Sequence, residues 1–363
     1  MSARGASGAQ ATPFAILCAC LAFSDNAAEV EALAARGAFD WPAVLRLAGH
    51  HLVTPSLAAA LSRKGLRDLL DDEARDYLNV VRGLNRDRNS TLRGELLVVA
   101  EVLNRIGVQP VLLKGANALL PDGYDGAKDR VIGDLDLLVP AERLPAAADT
   151  LRALGYGDGD IAVDASHHHL TGLHHPALPV RVELHGRPLR DMQDSARLME
   201  RAAYDDLLLE GRAHVRVLDA TTRLLHNALH AQISDGQRRL RLANIRQLLD
   251  FALLARSFSV QADDALARIE RRRREPILEY WAQAEHWLGL PYPADMPRAR
   301  HQARELWLTE RIANNRRWYV ASKALDLLRG EEWSELPSRL IRHVPRILRK
   351  RGYLTGRLRG LFD

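Results

Sequence analysis

The sequence is poor in cysteine and lacks long hydrophobic runs. Among its 363 residues the cysteines are Cys18 and Cys20 alone, which are too close together for a comfortable disulfide. This scarcity excludes a disulfide-built fold and favours a reducing compartment, so we expect a cytoplasmic protein. No run approaches the roughly 18 apolar residues of a membrane span, so we expect no transmembrane segment. The short apolar stretch Phe14–Phe23 follows Pro13 and predicts a buried first helix.

A strong net charge is also absent from most of the chain. Hydrophobic residues make up 47% and charged residues 27%, an ordinary balance for a protein with sizeable cores, and the formal net charge is +5. Residues 338–363 hold eight basic residues and one acid, so the remainder is slightly acidic. Leu340, Ile341 and Val344 interleave with arginines in this tail. The tail could bind RNA phosphates, anionic lipid or an acidic partner, or could pack on the core with its arginines in water.

Apolar spacing places one region of strands between helical regions. The spacing from residue 27 to residue 107 is helical, strand-like runs follow up to residue 190, and the chain after Ala196 again looks helical. We therefore expect an α/β (α+β) fold with its strands embedded in a mostly helical protein. The expected parts are a disordered tail (1–12), a helical N-terminal lobe (13–107), a core (108–190), a helical C-terminal domain (191–335) and a basic tail (336–363).

The stretch from Val111 to Val139 carries the most informative pattern. It reads as an apolar strand, a Lys-Gly turn, a short helix, a polar loop and a second strand that bears Asp134 and Asp136. Side chains two apart on a strand point to the same face, so these carboxylates lie side by side. Two like charges in apolar surroundings are costly, and Mg²⁺, which prefers hard oxygen ligands, relieves that cost. The pattern predicts a metal-dependent phosphoryl- or nucleotidyl-transfer site.

Residues between these two strands suit phosphate binding. Gly115 lets the backbone approach a phosphate closely, the helix that continues from Ala116 offers N–H donors, and Lys114 can neutralise charge. Arg130 is either a phosphate ligand or the partner that keeps Asp134 ionised, and the sequence leaves both interpretations open.

A later strand supplies a third carboxylate. Within Val180–His185, Glu183 shares a face with Arg181 and His185. A carboxylate on a buried strand after the paired aspartates suits a third metal ligand or a base that activates an attacking hydroxyl. The alternative is an ion pair between Glu183 and Arg181 or Arg187.

Further histidines and arginines allow more than one interpretation. Five histidines between residues 167 and 175 have no accompanying cysteine, which favours edge-strand or substrate-facing positions over a zinc site. His226 and His230 lie four residues apart on a helix face, and with Asp250 they suit a buried hydrogen-bonded network better than a metal site. The run Arg271–Arg274 is most simply a solvated helix end.

Several of these pieces, taken together and in order, carry a resemblance to a known family. They are Lys114-Gly115, Arg130-x-x-x-Asp134-x-Asp136-Leu-Leu-Val, Gly155-Tyr156 and Val182-Glu183-Leu184-His185. The combination resembles the uncharacterised nucleotidyltransferase family of bacteria, which belongs to the DNA polymerase beta-like nucleotidyltransferase superfamily. The resemblance extends roughly from Leu45 to Pro291.

The resemblance implies a small mixed-sheet nucleotidyltransferase core and a transfer of a nucleoside monophosphate from an NTP with release of pyrophosphate. The acceptor would be a hydroxyl on an RNA 3′ end, a protein side chain or a small metabolite. Two Mg²⁺ ions would be held by Asp134, Asp136 and Glu183, which would also be the catalytic residues. The nucleotide-binding residues would be Lys114, Gly115, Ala116 and Arg130, and possible substrate-facing residues are His185, His226 and Arg246.

Two other functions stay open, and one departure from the superfamily pattern favours the first of them. The superfamily usually has Gly-Ser or Gly-Gly after the first strand, whereas this chain has Gly115-Ala116 and so lacks a hydroxyl donor. A degenerate, non-catalytic nucleotide-binding or regulatory module is therefore an alternative. The other alternative is that the pair of Asp134 and Asp136 is a structural coincidence and the protein is a helical scaffold with a basic nucleic-acid- or membrane-binding tail.

Overall fold

Helices make up most of the fold. The computed structural model describes residues 11–35, 40–120, 127–158, 172–177, 181–294, 296–299 and 301–314. Its α-helices are α1 (Pro13–Leu21), α2 (Ala27–Ala35), α3 (Trp41–His50), α4 (Thr54–Arg63), α5 (Asp72–Arg105), α6 (Leu144–Ala153), α7 (Met192–Glu200), α8 (Ala220–Leu229), α9 (Gln237–Leu240), α10 (Ile245–Ser257), α11 (Ala262–Ala267), α12 (Arg271–Leu288) and α13 (Gln302–Asn314). Among these helices, none combines the length and the apolar composition that crossing a membrane requires.

A mixed sheet forms the centre of the fold. Its strands are β1 (Val111–Leu112), β2 (Leu135–Leu138), β3 (Gly157–Asp158), β4 (Leu173–His174), β5 (Arg181–His185), β6 (Tyr204–Leu209) and β7 (Ala213–Leu218). They lie in the order β3-β4-β5-β2-β1-β7-β6. The central strand β2 runs antiparallel to β1 and parallel to β5, and β1 runs parallel to β7. The predicted α+β class, with a small mixed sheet inside a mostly helical protein, is confirmed.

The hydrophobic core has two main parts that α5 connects. The first half of α5 contributes Ala74 and Leu78 to a helical cluster that also contains α1, α4, α8, α10 and α12. Its second half, through residues such as Leu96 and Leu103, packs against the sheet together with α6. Phe14 of α1 meets Trp287 of α12 edge to face at 5.3 Å. Helices from both ends of the described chain therefore share one core, while the expected domain boundaries stay a prediction.

The hairpin β6–β7 corrects the expectation that the chain after Ala196 is helical. Ala213–Leu218 alternates buried and exposed residues over most of its length, which is the period of a strand and not of a helix. Glu210 and Gly211 both take positive φ, and Arg212 N donates to Leu209 O at 3.1 Å. This is the turn geometry that matches the twist of paired strands. A Glu-Gly turn between apolar runs was the signal that the helical interpretation missed.

Several local predictions are confirmed. The first helix is α1, which is buried in the helical cluster, and the thiols of Cys18 and Cys20 are free and buried there. Asp40 caps α3 by accepting from Ala43 N at 3.0 Å, as the sequence Asp-Trp-Pro indicates. Other predictions lie outside the described residues: those for most of the 1–12 tail, for the histidines at 167–169 and for the 336–363 tail.

Candidate active site

Two acidic residues meet because of the register between β2 and β5. In this parallel pair, Asp136 lies directly opposite Glu183. Asp134 immediately precedes β2 and lines the same pocket, which has a volume of about 210 Å³. Since adjacent parallel strands place matched residues side by side, the sheet brings all three carboxylates to one region. The predicted triad is thus close together, although the tightest cluster of possible metal ligands is Asp136, Glu183 and His185, whose ligand atoms lie within 4.8 Å of one another.

Asp136 is held by two hydrogen bonds to the same oxygen. Lys114 Nζ donates to Asp136 Oδ1 at 2.7 Å, and His185 Nε2 lies 2.8 Å from that oxygen. Lys114 follows β1 with φ of 43°, a positive value that is uncommon for a residue with a side chain. His185 is fully buried and also lies 3.7 Å from Glu183 Oε2. Its side chain therefore faces the carboxylates from within the protein, whereas the prediction had it facing substrate.

The electrostatics show an excess of negative charge in the pocket. Burial opposes ionisation of Asp136, but Lys114 and the hydrogen bond from His185 outweigh it and hold the pKa of Asp136 well below its usual range. Burial together with the Asp136 charge raises the pKa of Glu183 to about 7. The same two causes raise the pKa of Asp134. Asp136 is thus ionised, and its charge opposes ionisation of its two acidic neighbours.

Arg130 is fixed by a buried ion pair. Its Nε donates to both carboxylate oxygens of Asp250 on α10, at 2.8 and 3.0 Å, and both side chains are about nine-tenths buried. The guanidinium also lies against Gly115, since a Cβ built on Gly115 would come within 3.0 Å of Arg130 Cζ. A glycine is therefore required at position 115 by the close approach of this side chain. Asp250 is the charged partner of Arg130, a pairing that the sequence did not predict.

Arg246 enters the pocket from α10. Its Nη1 donates to Val131 O at 3.2 Å. Burial and the neighbouring Arg130 lower the pKa of Arg246, whereas Asp250 and Asp134 act in the opposite direction. Arg246 thus supplies a partly desolvated positive charge on the side of the pocket opposite the sheet.

The end of α8 and the π-helical turn after it close the pocket. His226 Nε2 donates to Pro188 O at 2.9 Å, and burial and the nearby His230 lower the pKa of His226 to about 3. His226 is therefore neutral, with its ring 6.0 Å from that of His230. His230 Nδ1 lies 3.2 Å from Asp235 Oδ2, and the π-helical turn His230–Ser234 positions both residues. Such turns are frequent at functional sites.

The pocket collects most, but not all, of the predicted site residues. Those that line it are Lys114, Gly115, Arg130, Asp134, Asp136, Glu183, His226 and Arg246. Ala116 is completely buried, packs in the sheet core, and uses its N–H on Leu113 O at 3.0 Å. Sequence reasoning missed Asn117, Asp235, Asn244 and Gln247, which also line the pocket. They lie in turns and at a helix start, where only the fold shows which polar residues converge.

The residues present fit a divalent cation. Carboxylate oxygens and an imidazole nitrogen lie within one cluster, and burial together with the Asp136 charge raises the pKa values of Asp134 and Glu183, so a cation bound there would favour their ionised forms. Sites that hold divalent ions are typical of enzymes that act on phosphate groups, such as phosphatases, polymerases and nucleases.

Comparison with family models identifies the family within that class. Residues 37–289 match the model described as uncharacterised nucleotidyltransferase, and the chain belongs to this family. The predicted family is thereby confirmed, and nucleotidyl transfer is the general activity that it implies. A search of curated proteins found no match to the chain.

Proposed function

We propose that this protein transfers a nucleoside monophosphate from an NTP to a hydroxyl acceptor and releases pyrophosphate, with Mg²⁺ as its cofactor. The observation that supports this best is the register that sets Asp136 opposite Glu183, with Asp134 at the end of the same strand. Lys114 and Gly115 lie on the neighbouring strand end and line the same pocket. The arrangement combines metal ligands with a phosphate-binding turn.

Asp134, Asp136 and Glu183 are the residues that would hold the metal ions. When bound, such ions neutralise the charge that develops on the attacked α-phosphate and on the departing pyrophosphate. The protein supplies positioning: Lys114 and His185 fix one oxygen of Asp136 and thereby orient the other. His185 acts in this proposal as a positioning residue.

The positive groups of the pocket suit the triphosphate. Lys114 and Arg246 reach the pocket from the sheet and from α10, so a bound polyphosphate would lie between them. Gly115 leaves room for a close approach of the backbone. Arg130, because it pairs with Asp250, contributes mainly by fixing the wall of the pocket.

Glu183 is a metal ligand in this proposal. Burial and the Asp136 charge raise its pKa to about 7 without metal, and a bound cation would lower it again. The proton of the attacking hydroxyl would therefore leave to water.

The test is Mg²⁺-dependent NTP binding measured by isothermal titration calorimetry. We expect wild type to bind an NTP only with Mg²⁺, and Asp136→Asn to weaken that binding at least tenfold, or about 1.4 kcal/mol. Asp149→Asn is the matched control, because Asp149 is an exposed aspartate of α6, and it should bind as wild type does. Equal affinity of wild type and Asp136→Asn, with circular dichroism unchanged, would contradict the proposal.

A further inference from the structure

A second cavity adjoins the active-site pocket at the start of α10. Its volume is about 350 Å³, and Asp235, Asn244 and Arg246 line both cavities. The turn after α3 and the segment before α10 contribute the rest of its described lining, together with Gln237 at the start of α9. We call this second cavity the annex.

The active-site pocket by itself is small for a whole nucleotide. Its volume of about 210 Å³ is below the ~300–1,000 Å³ that is usual for sites of small ligands, whereas the pocket and the annex together fall within that range. A nucleotide whose phosphates lie at the carboxylates therefore needs adjoining space for the rest of the molecule. The annex provides such a space.

The lining of the annex suits an uncharged planar ring. Asp235 and Arg246 at its boundary carry opposite charges, and the other described lining residues are the imidazoles of His50 and His51, amides and aliphatic side chains. Flat imidazole and aliphatic surfaces can cover the face of a heterocycle, while amides pair with the N–H and C=O groups on its edge. A chain of phosphates would need more positive charge than one guanidinium supplies.

His51 is held in one orientation and one tautomer. Ile245 N, at the start of α10, donates to His51 Nδ1 at 3.4 Å, and the ring of Phe14 lies edge to face with the imidazole at 6.1 Å. Burial lowers the pKa of His51 to about 4, so the ring is neutral at pH 7 and its proton is on Nε2. The imidazole thus offers the annex a fixed flat surface and one N–H donor.

Leu52 has an unfavourable conformation where it lines the annex. Its φ of 56° lies in the left-handed region that favours glycine, and the residue is 43% exposed. The chain reversal after α3, in which Val53 N donates to Ala48 O at 2.9 Å, places a left-handed residue at this position. Glycine would adopt this conformation without steric cost, so stability alone does not explain an exposed leucine here. A ring that covers the leucine side chain would explain it.

Two of the residues that the cavities share suit the ribose of a nucleotide. Asp235 Oδ2 accepts from Gln247 Nε2 at 2.8 Å, and a carboxylate has the capacity to accept further donors. Asn244 caps α10 through Oδ1, which accepts from Gln247 N at 3.3 Å, and this cap does not use its amide N–H groups. Ribose hydroxyls both donate and accept, so they match a carboxylate beside an amide.

We propose that the annex binds the base of the NTP and that Leu52 is a specificity-determining residue for that base. The inference rests on the proposed function, because the phosphates of the same nucleotide lie at the carboxylate cluster. Contacts between a base and the side chains that cover its face contribute roughly tenfold or more to affinity.

The test compares each NTP with tripolyphosphate, which has the phosphates without a base, by isothermal titration calorimetry with Mg²⁺. The variants are Leu52→Gly, which suits the left-handed conformation, and Ala243→Phe, which narrows the annex from the segment before α10. The matched control is Ser259→Gly, because Ser259 also has a positive φ, of 48°, after a helix but lines neither cavity. Circular dichroism of every protein checks that the fold is kept.

We expect wild type to bind at least one NTP about tenfold or more tightly than tripolyphosphate. Leu52→Gly and Ala243→Phe should each reduce that ratio by about fivefold or more with the affinity for tripolyphosphate unchanged, and Ser259→Gly should keep the wild-type ratio. The proposal is overturned if no NTP binds more tightly than tripolyphosphate, or if both annex variants keep the wild-type ratio. If wild type binds neither ligand with Mg²⁺, the proposed function fails and this inference fails with it.

Discussion

The ion pair between Arg130 and Asp250 makes a quantitative prediction about what holds the pocket together. The pair joins the segment before β2 to α10 across 120 residues of sequence, and its side chains are 8% and 10% exposed. Breaking such a pair by removing one partner costs about 3–5 kcal/mol, because an uncompensated charge stays buried. The perturbations are Arg130→Met, Asp250→Asn and the double variant.

The two single variants should lower the free energy of unfolding by different amounts. Asp250 also compensates Arg246, so Asp250→Asn removes one negative charge from beside two guanidinium groups, and guanidinium groups stay charged. We expect a loss of about 4 kcal/mol in the free energy of unfolding for Asp250→Asn and about 3 kcal/mol for Arg130→Met. The double variant should lose about 5 kcal/mol, which gives a coupling of about 2 kcal/mol.

The assay is urea unfolding followed by circular dichroism, on all three variants and on a matched surface pair. Arg152 and Asp149 form that pair at 2.8 Å with side chains 41% and 74% exposed, and their cycle should give no more than about 0.5 kcal/mol. Losses below about 1 kcal/mol in both single variants of Arg130 and Asp250, with no coupling, would refute the account of this pair.

Three further predictions concern single side chains. Burial raises the pKa of Glu95, which accepts a hydrogen bond from Tyr156, to about 7. Between about pH 4.5 and 7 the folded state therefore holds a proton that the unfolded state releases, so the free energy of unfolding should fall as the pH rises through this range. In urea titrations at pH 5 and 8, Glu95→Gln should remove roughly 1–3 kcal/mol of that fall. An unchanged pH profile in the variant would contradict this role of Glu95. Gly115→Ala should lower the melting temperature because its methyl group meets the Arg130 guanidinium, and the same change should lower it less in an Arg130→Ala background. An equal loss in both backgrounds would show that the contact is unimportant. Asp219→Ala should cost about 1–2 kcal/mol of unfolding free energy, since it caps α8 through Thr222 N at 3.1 Å, and a cost near zero would contradict that role.

The sequence predicts best where local chemistry and local structure coincide. The strand with Asp136, the strand with Glu183 and the Lys114-Gly115 turn each carry their own pattern, and their order along the chain indicated the family. The sequence also indicates the caps at Asp40, which precedes Trp41-Pro42, and at Asp219, because a cap is set by residues within one turn.

The rest depends on pairings between distant residues. The partner of Arg130 is 120 residues away, and nothing in the neighbourhood of either residue indicates the pair. The sequence does not indicate the hairpin β6–β7, because its first strand, Tyr204–Leu209, is mostly exposed and carries acids, so that it lacks the alternation seen in its partner. The run at 271–274 is the start of α12 with Arg271, Arg272 and Arg274 exposed, as predicted, but the bond from Arg273 to Asp194, 79 residues away, is not local.

The central claim is nucleotidyl transfer at the carboxylate cluster, and one measurement tests it most directly. Each NTP, labelled at the α-phosphorus, is incubated with the protein, Mg²⁺ and separate RNA, protein and metabolite fractions, and pyrophosphate release is followed in parallel. The account predicts label in one acceptor fraction, with stoichiometric pyrophosphate, for wild type and for Asp149→Asn but not for Asp134→Asn/Asp136→Asn. Bound NTP with neither label nor pyrophosphate in any fraction would contradict it and indicate a non-catalytic nucleotide-binding module.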